Sequence, residues 1–211
     1  ERIPSEEELE EILQAPRGKP SPMSSFLNLM STFLFLTNYY IAAPTSGAYA
    51  AKLGSNETLA GLVIGMTPIA ALASTFLYSW WTSYSYKAAL FFASSCALIG
   101  NTLYALGLPC SSLTLVLVGR LLVGFGSCRS INRRYIADSY SRDERTAASA
   151  AFVTAGSLGM AAGPALAAAL DFIPSGDVYW SVENAPGWVM TFVWLVYLVA
   201  LVLYFRDPPK P

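Results

Sequence analysis

Residues 119–138 read GRLLVGFGSCRSINRRYIAD, an apolar helix that carries one arginine deep inside and ends in several more. Arg120 lies about eight residues into the apolar run that begins near Leu113, which at 1.5 Å per residue puts it about 12 Å inside a bilayer core about 30 Å thick. A guanidinium at that depth costs roughly 2.5–3.5 kcal/mol on insertion scales, so the side chain is expected to face protein, a carbonyl or a water-filled cavity rather than lipid. Arg120, Gly124, Ser127, Ile131 and Arg134 recur at spacings of four, three, four and three, one face of a helix, and Arg129 and Arg133 make a second pair four apart. Two basic stripes therefore run toward one membrane face. Gly124 and Gly126 are small enough to let another backbone come close. Two roles stand open for Arg120, a structural hydrogen bond to a neighbouring helix or contact with a transported solute.

Composition agrees with a chain that lives in lipid. Hydrophobic residues make up 54% and charged residues 13%, with a mean hydropathy of +0.45, too apolar for an ordinary soluble domain, and the class expected is an all-α, polytopic membrane protein. The net charge of −1 says little, because the charges are segregated along the chain. Cys96, Cys110 and Cys128 show neither a disulfide framework nor metal-ligand spacing. Histidine is absent, which excludes a serine-histidine protease, a His-anchored haem or a His proton relay within these residues. The phosphate-cradling Gly-x-x-x-x-Gly-Lys-Ser/Thr pattern and the Pro-x-Asp/Glu-x-x-Lys/Arg repeat of mitochondrial carriers are missing as well.

Arg120-x-x-x-Gly124-x-Gly126 is similar to the fourth-helix motif of the major facilitator superfamily, and Gly159-Met-Ala-Ala-Gly163-Pro164 resembles its fifth-helix Gly-x-x-x-Gly-Pro motif. NRRYIAD from Asn132, ASAAFV from Ala148, LGMAAGPALA from Leu158 and PGWVM from Pro186 resemble the SPX-MFS branch, the plant vacuolar phosphate transporters. The resemblance covers residues 33–205. It implies half of a transporter fold, built from two inverted three-helix repeats. It also implies a soluble SPX domain upstream, a second six-helix half downstream, and residence in a vacuolar or lysosome-like membrane.

Along the chain, residues 1–24 read as a solvated linker: Ser5 and Glu8 form a capping box before a short acidic helix over 6–13, and Pro16, Gly18, Pro20 and Pro22 break it. No signal peptide is recognisable. Residues 25–205 carry six expected spans, near 26–52, 59–81, 86–107, 113–136, 146–170 and 187–205, and 206–211 would begin a cytoplasmic connector. In the first span Ser31, Asn38, Thr45 and Tyr49 share a face that should look into the bundle or a cavity, and Pro44 kinks it. The second span, with Gly61-x-x-x-Gly65 and Pro68, mirrors the fifth, and both small-residue faces are expected to pack against the other half. In the link SWWTSYSYK from Ser79 to Lys87 the superfamily's usual Asp and Arg are missing, which puts its charged latch between helix ends in question, and the aromatic residues read as an interfacial belt.

Arg17, Lys19, Lys87, Arg133, Arg134, Arg142, Arg145, Arg206 and Lys210 fall on one side against Lys52 near the other, so the positive-inside rule places both termini in the cytoplasm. The loop 171–186, with Asp171, Asp177 and Glu183, faces the lumen. No carboxylate sits in the middle of a span, and Asp138 is the one marginal candidate for proton coupling. A bundle whose deep ionisable group is an arginine favours an anion, since the planar fork suits phosphate or carboxylate oxygens.

The function expected is a secondary transporter of a small inorganic anion, phosphate as the resemblance implies, working by alternating access. Arg120, Asn38, Tyr40, Thr45 and Ser127 are the candidate binding residues, with Arg129, Arg133 and Arg134 as their approach and Gly124, Gly126, Gly159, Gly163 and Pro164 as structural motif positions. Catalysis, a cofactor, a metal and nucleic acid are not implied. The alternatives are an anion channel or organic-anion carrier on the same fold, or a transport-inactive scaffold for an upstream regulatory domain.

Overall fold

The computed structural model describes residues 20–172 and 176–208; the expected acidic helix over 6–13 and its capping box lie outside these. Eight helices follow one another among the described residues: α1 Pro22–Ala42, α2 Ser46–Lys52, α3 Glu57–Trp81, α4 Tyr86–Leu106, α5 Leu113–Phe125, α6 Arg129–Ser139, α7 Arg142–Leu170 and α8 Ala185–Tyr204. Taken as membrane crossings these are six spans: α1 and α2 form one, bent by 51° across 43–45, and α5 and α6 run together as the span Leu113–Ser139. Local chemistry sets the starts. Pro22 and Pro186 sit in first turns, where a missing N–H costs nothing. Asn56, Ser85 and Ser112 each cap a helix by accepting from the backbone N–H three residues on. Gly54, at φ 72°, makes the reversal between α2 and α3 in a conformation that glycine adopts at no steric cost.

The packing repeats itself. α1 lies along α7, and α3 along α5; α4 packs on both α5 and α8, and α1 also on α8. Exchanging the first three spans for the last three maps α1–α7 onto α3–α5, α4–α5 onto α1–α8 and α4–α8 onto itself, with every exchanged span running in the opposite direction. This is the pattern of two inverted three-helix repeats.

Helix backbones meet where side chains are absent. A Cβ on Gly100 would fall 2.6 Å from the Gly119 carbonyl oxygen, and one on Gly119 equally close to the Gly100 oxygen, so α4 and α5 touch backbone to backbone. Gly124 rests on the Thr67 carbonyl of α3, and Gly126 on the Ala93 carbonyl of α4. Gly159 presses on the Phe33 carbonyl and Gly163 on Tyr40, both of α1. This corrects one expectation. Gly159 and Gly163 seal a contact inside this bundle rather than presenting a groove to a second half, whereas Gly61 and Gly65 have open space before them. α3 turns bulky apolar residues outward on the side of these glycines, with Ile69, Leu72 and Phe76 all more than half exposed.

Polar contacts fasten the two ends of the bundle. At the basic end, Ser24 Oγ donates to Arg206 O at 3.0 Å, and Ser85 Oγ and the Lys87 N–H donate to Asp207 at 2.7 and 2.8 Å, so the first described helix begins on the side where the last one ends. At the opposite end Tyr49 donates to Tyr104 O and accepts from Leu108 N, which pins α2 on α4 after the bend. Lys52 Nζ meets Glu183 Oε2 at 2.7 Å. Burial raises the Glu183 carboxyl, but hydrogen bonds from Lys52, its own backbone and Ser181 outweigh it and hold the group below the ordinary 4.5. Asn184 fixes the same loop by donating to the Ala105, Val178 and Tyr179 carbonyls.

Two outcomes follow for the full-length protein in detergent. Gly119→Ala should lower stability by about 1–3 kcal/mol, read as a drop in Tm, because the added methyl has only backbone to displace. Gly47→Ala, on α2 with nothing within 4 Å of the added methyl, should be neutral or gain up to about 1 kcal/mol from helix propensity; equal losses at both positions would contradict the packing described. Because Glu183 is more acidic folded than unfolded, the Lys52 pair contributes above pH 4.5 and its contribution disappears as pH falls below that through the folded value. The Tm advantage of wild type over Glu183→Gln should therefore be present at neutral pH and vanish in acid; an advantage that grows on acidification would refute the assignment.

Candidate functional site

A cavity of 880 Å³ opens between α1, α3, the α5–α6 span and α7. Helical spacing builds its walls. Phe35, Leu36, Tyr39 and Tyr40 make one face of α1; Thr67, Pro68, Ala71, Leu72 and Thr75 make one face of α3; Met160 contributes from α7. The fourth wall begins where the helix is interrupted after Phe125, and supplies Ser127, Arg129, Ser130, Arg133 and Arg134. Three guanidinium groups and no carboxylate therefore line the cavity among the described residues. Arg129 and Arg133 have no carboxylate partner there. Arg133 has only the Phe152 ring beneath it, at 5.6 Å, and the buried Ser130 hydroxyl has no hydrogen-bond partner.

Arg134 is committed elsewhere. It donates to Ser79 O, to Thr82 Oγ1 at 3.1 Å and to Ser83 Oγ at 3.2 Å, and its Nε lies 3.5 Å from Asp138, which also accepts from the Tyr86 hydroxyl. The latch that SWWTSYSYK put in question thus exists in another form. The link between α3 and α4 offers a carbonyl and two hydroxyls to an arginine on α6, and the carboxylate is supplied by α6 itself.

Arg120 lies outside the cavity wall. It is 2% exposed, donates through Nε to Val63 O at 3.2 Å, and sits 5.7 and 5.9 Å from the rings of Tyr39 and Tyr104. Four spans therefore converge on it: Tyr39 from the first, Val63 from the second, Tyr104 from the third and Arg120 itself from the fourth. Asn38 is equally buried and its amide nitrogen has no partner, while Thr45 lies in the bend and donates to Ala42 O at 3.4 Å. Of the expected binding residues the cavity gathers Tyr40 and Ser127; Arg120 and Asn38 belong to the packed interior behind it, and Thr45 is half-buried in the bend after α1. The expected approach residues Arg129, Arg133 and Arg134 are instead its wall.

Ser31, expected to face the bundle, holds this region together with Asn28, Thr32 and Asn132, whose part sequence reasoning passed over. Asn132 Oδ1 accepts from Asn28 Nδ2 at 2.9 Å, and Asn132 Nδ2 lies 2.7–2.9 Å from Asn28 O, Ser31 Oγ and Thr32 Oγ1. The cluster is fully buried between α1 and α6, as polar groups in an apolar setting must be when they bond to one another. The signal was present in the sequence, because Asn28, Ser31 and Thr32 share a helix face. Tyr39 is the other omission: it stands at i+4 from Phe35 and so belongs to the cavity face, one residue away from the interior stripe of Ser31 and Asn38. Cys96, Cys110 and Cys128 are all free thiols.

Comparison with known proteins agrees with this architecture. The family model of the Major Facilitator Superfamily matches residues 29–211. An SPX domain-containing membrane protein of Arabidopsis thaliana is 45% identical over 203 residues, 95% of this chain and 29% of that protein. One from Oryza sativa subsp. indica is 46% identical over 189 residues, 88% of this chain and 26% of that protein. The chain thus spans under a third of the length of these relatives. Among solved structures, the peptide transporter POT in complex with sulfate superposes with a TM-score of 0.67 at 17% identity, over 96% of this chain and 44% of that one. A bacterial homologue of the human lysosomal transporter Spinster, inward-facing and unoccupied, gives 0.64 at 17% identity, over 90% and 45%. A match at that identity carries the fold alone, six spans equivalent to nearly half of a transporter. With the family model covering most of its length and the inverted packing in view, the chain belongs to the major facilitator superfamily.

Proposed function

We propose that this chain is the first six-helix half of a secondary transporter for a small inorganic anion, phosphate in the first instance. The single observation that carries the reading is the cavity whose wall holds Arg129, Arg133 and Arg134 and no carboxylate. Two of these guanidinium groups are available to oxyanions, and their planar forks suit phosphate geometry. Tyr40 and Thr75 add hydroxyls from α1 and α3, and Ser127 and Ser130 from the arginine wall itself. Phosphate among the anions and a vacuole-type membrane are what the resemblance of NRRYIAD and LGMAAGPALA to the SPX-MFS branch implies.

In this reading residues 25–205 form the transporting half, 1–24 and 206–211 are linkers, and both termini are cytoplasmic because the basic residues gather at one end. The second half covers the outward face of α3, where Gly61 and Gly65 lie open and Ile69, Leu72 and Phe76 are exposed. Alternating access then rocks the two halves about a site near the middle of the spans. The latch of Arg134 and Asp138 on the α3–α4 link keeps the cytoplasmic ends of this half moving as one body.

Phosphate uptake by vesicles containing the full-length protein tests the reading. Arg129→Gln or Arg133→Gln should raise the half-saturating phosphate concentration by about tenfold or more, the loss expected of one charged hydrogen bond, at unchanged expression. Arg133→Lys should recover part of it, since an ammonium keeps the charge without the fork. Undiminished uptake in the double Gln variant would remove the cavity from the transport path.

A further inference from the structure

The Arg120 guanidinium is more than nine-tenths buried, yet it has one hydrogen bond, to Val63 O, and its Nη2 has no partner. No carboxylate pairs with it among the described residues. The hydroxyl of Tyr104, whose ring lies against the same guanidinium, is likewise buried without a partner, and so is the Asn38 amide nitrogen on the neighbouring helix. Unpaired buried donors of this kind cost more than aromatic faces return, above all where one of them is a cation. An acceptor is missing.

The ring of Tyr39 lies on Arg120 at 5.7 Å and at the same time forms part of the cavity wall. Tyr39 is therefore what separates the deep cation from the solvent-filled space in which Arg129 and Arg133 wait. The helix that carries it stays regular through Ala42 and bends by 51° just beyond, at 43–45, so Tyr39 sits in the last turn before the break.

We propose that Arg120 is a second, deep anion subsite and that Tyr39 is the gate between it and the cavity. In the conformation described the ring occupies the place of the ligand, giving Arg120 a cation–π contact in exchange for the oxyanion. When Tyr39 swings aside, a phosphate-sized anion passes from Arg133 to Arg120 and meets the vacant Nη2 and the Tyr104 hydroxyl. The inference rests on the anion reading of the cavity and adds to it an order of events and a residue that controls them.

Arginine modification of the full-length protein in proteoliposomes, with p-hydroxyphenylglyoxal as reagent and peptide mass spectrometry as readout, tests both parts. In wild type Arg133 should react quickly and be protected by inorganic phosphate, while Arg120 reacts slowly. Tyr39→Ala should speed modification of Arg120 by about tenfold or more, as expected when a minor open state becomes the dominant one. Phosphate should then protect Arg120 as well. Tyr39→Phe, which keeps the ring, should leave Arg120 as slow as in wild type, and Tyr39→Leu provides the open variant if the alanine protein does not fold. An Arg120 rate indifferent to Tyr39 would overturn the gate. Protection of Arg133 without protection of Arg120 would overturn the deep subsite alone, whereas protection of neither would overturn the anion cavity and the subsite with it.

Discussion

Arg120 constrains everything around it because a guanidinium buried in a membrane bundle must be met by protein on the sides that no ligand reaches. Val63 contributes a carbonyl, Tyr39 and Tyr104 contribute ring faces, and Thr67 returns a hydrogen bond to the Arg120 carbonyl at 3.1 Å. Those groups come from the first three spans, so a single side chain of the fourth fixes where the other three stand. The close approach this requires is supplied on either side of it, by Gly119 against Gly100 and by Gly124 against Thr67. One turn further on the helix is interrupted, and the arginines that follow face the cavity instead of the interior. The same span therefore has a buried cation at one level and accessible cations at another.

The two ends of the bundle are fastened by different chemistry. At the basic end, Arg134, Asp138, Ser85 and Asp207 join helix termini through charge-assisted contacts to hydroxyls and backbone. At the other end a buried carboxylate meets Lys52, and tyrosine and asparagine side chains donate to backbone carbonyls. Neither fastening reaches the outward face of α3, where the open glycines lie. That face can slide or rock against a neighbouring unit without breaking the contacts that hold this one together.

Much of this was legible in the sequence, and the errors have a common cause. Apolar length and the positions of Gly and Pro determine the spans, so the all-helical membrane class follows from composition and periodicity. The placement of the arginines on a bundle-facing helix followed from the cost of exposing them to lipid. Spacing places residues on a face, however, without saying which neighbour that face meets. Asn38 shares a stripe with Ser31, and the stripe turns out to be the interior seam, while Tyr39, rotated by one position, fronts the cavity. Gly159 and Gly163 matched the pattern of Gly61 and Gly65, but one pair meets α1 and the other meets open space. The latch of Arg134 could not be read from the link sequence because its acceptors are a main-chain carbonyl and ordinary hydroxyls, which carry no motif.

The central claim is that the arginine-walled cavity binds an oxyanion in the folded protein. A ligand that binds only the folded state raises its stability with the logarithm of ligand concentration once the site is saturated. The direct measurement is thermal unfolding of the purified full-length protein across a phosphate titration at constant ionic strength, beside Arg129→Gln/Arg133→Gln. The account predicts a Tm that climbs with phosphate in wild type and stays flat in the double variant. A Tm in wild type that does not respond to phosphate, or an equal rise in both proteins, would contradict it.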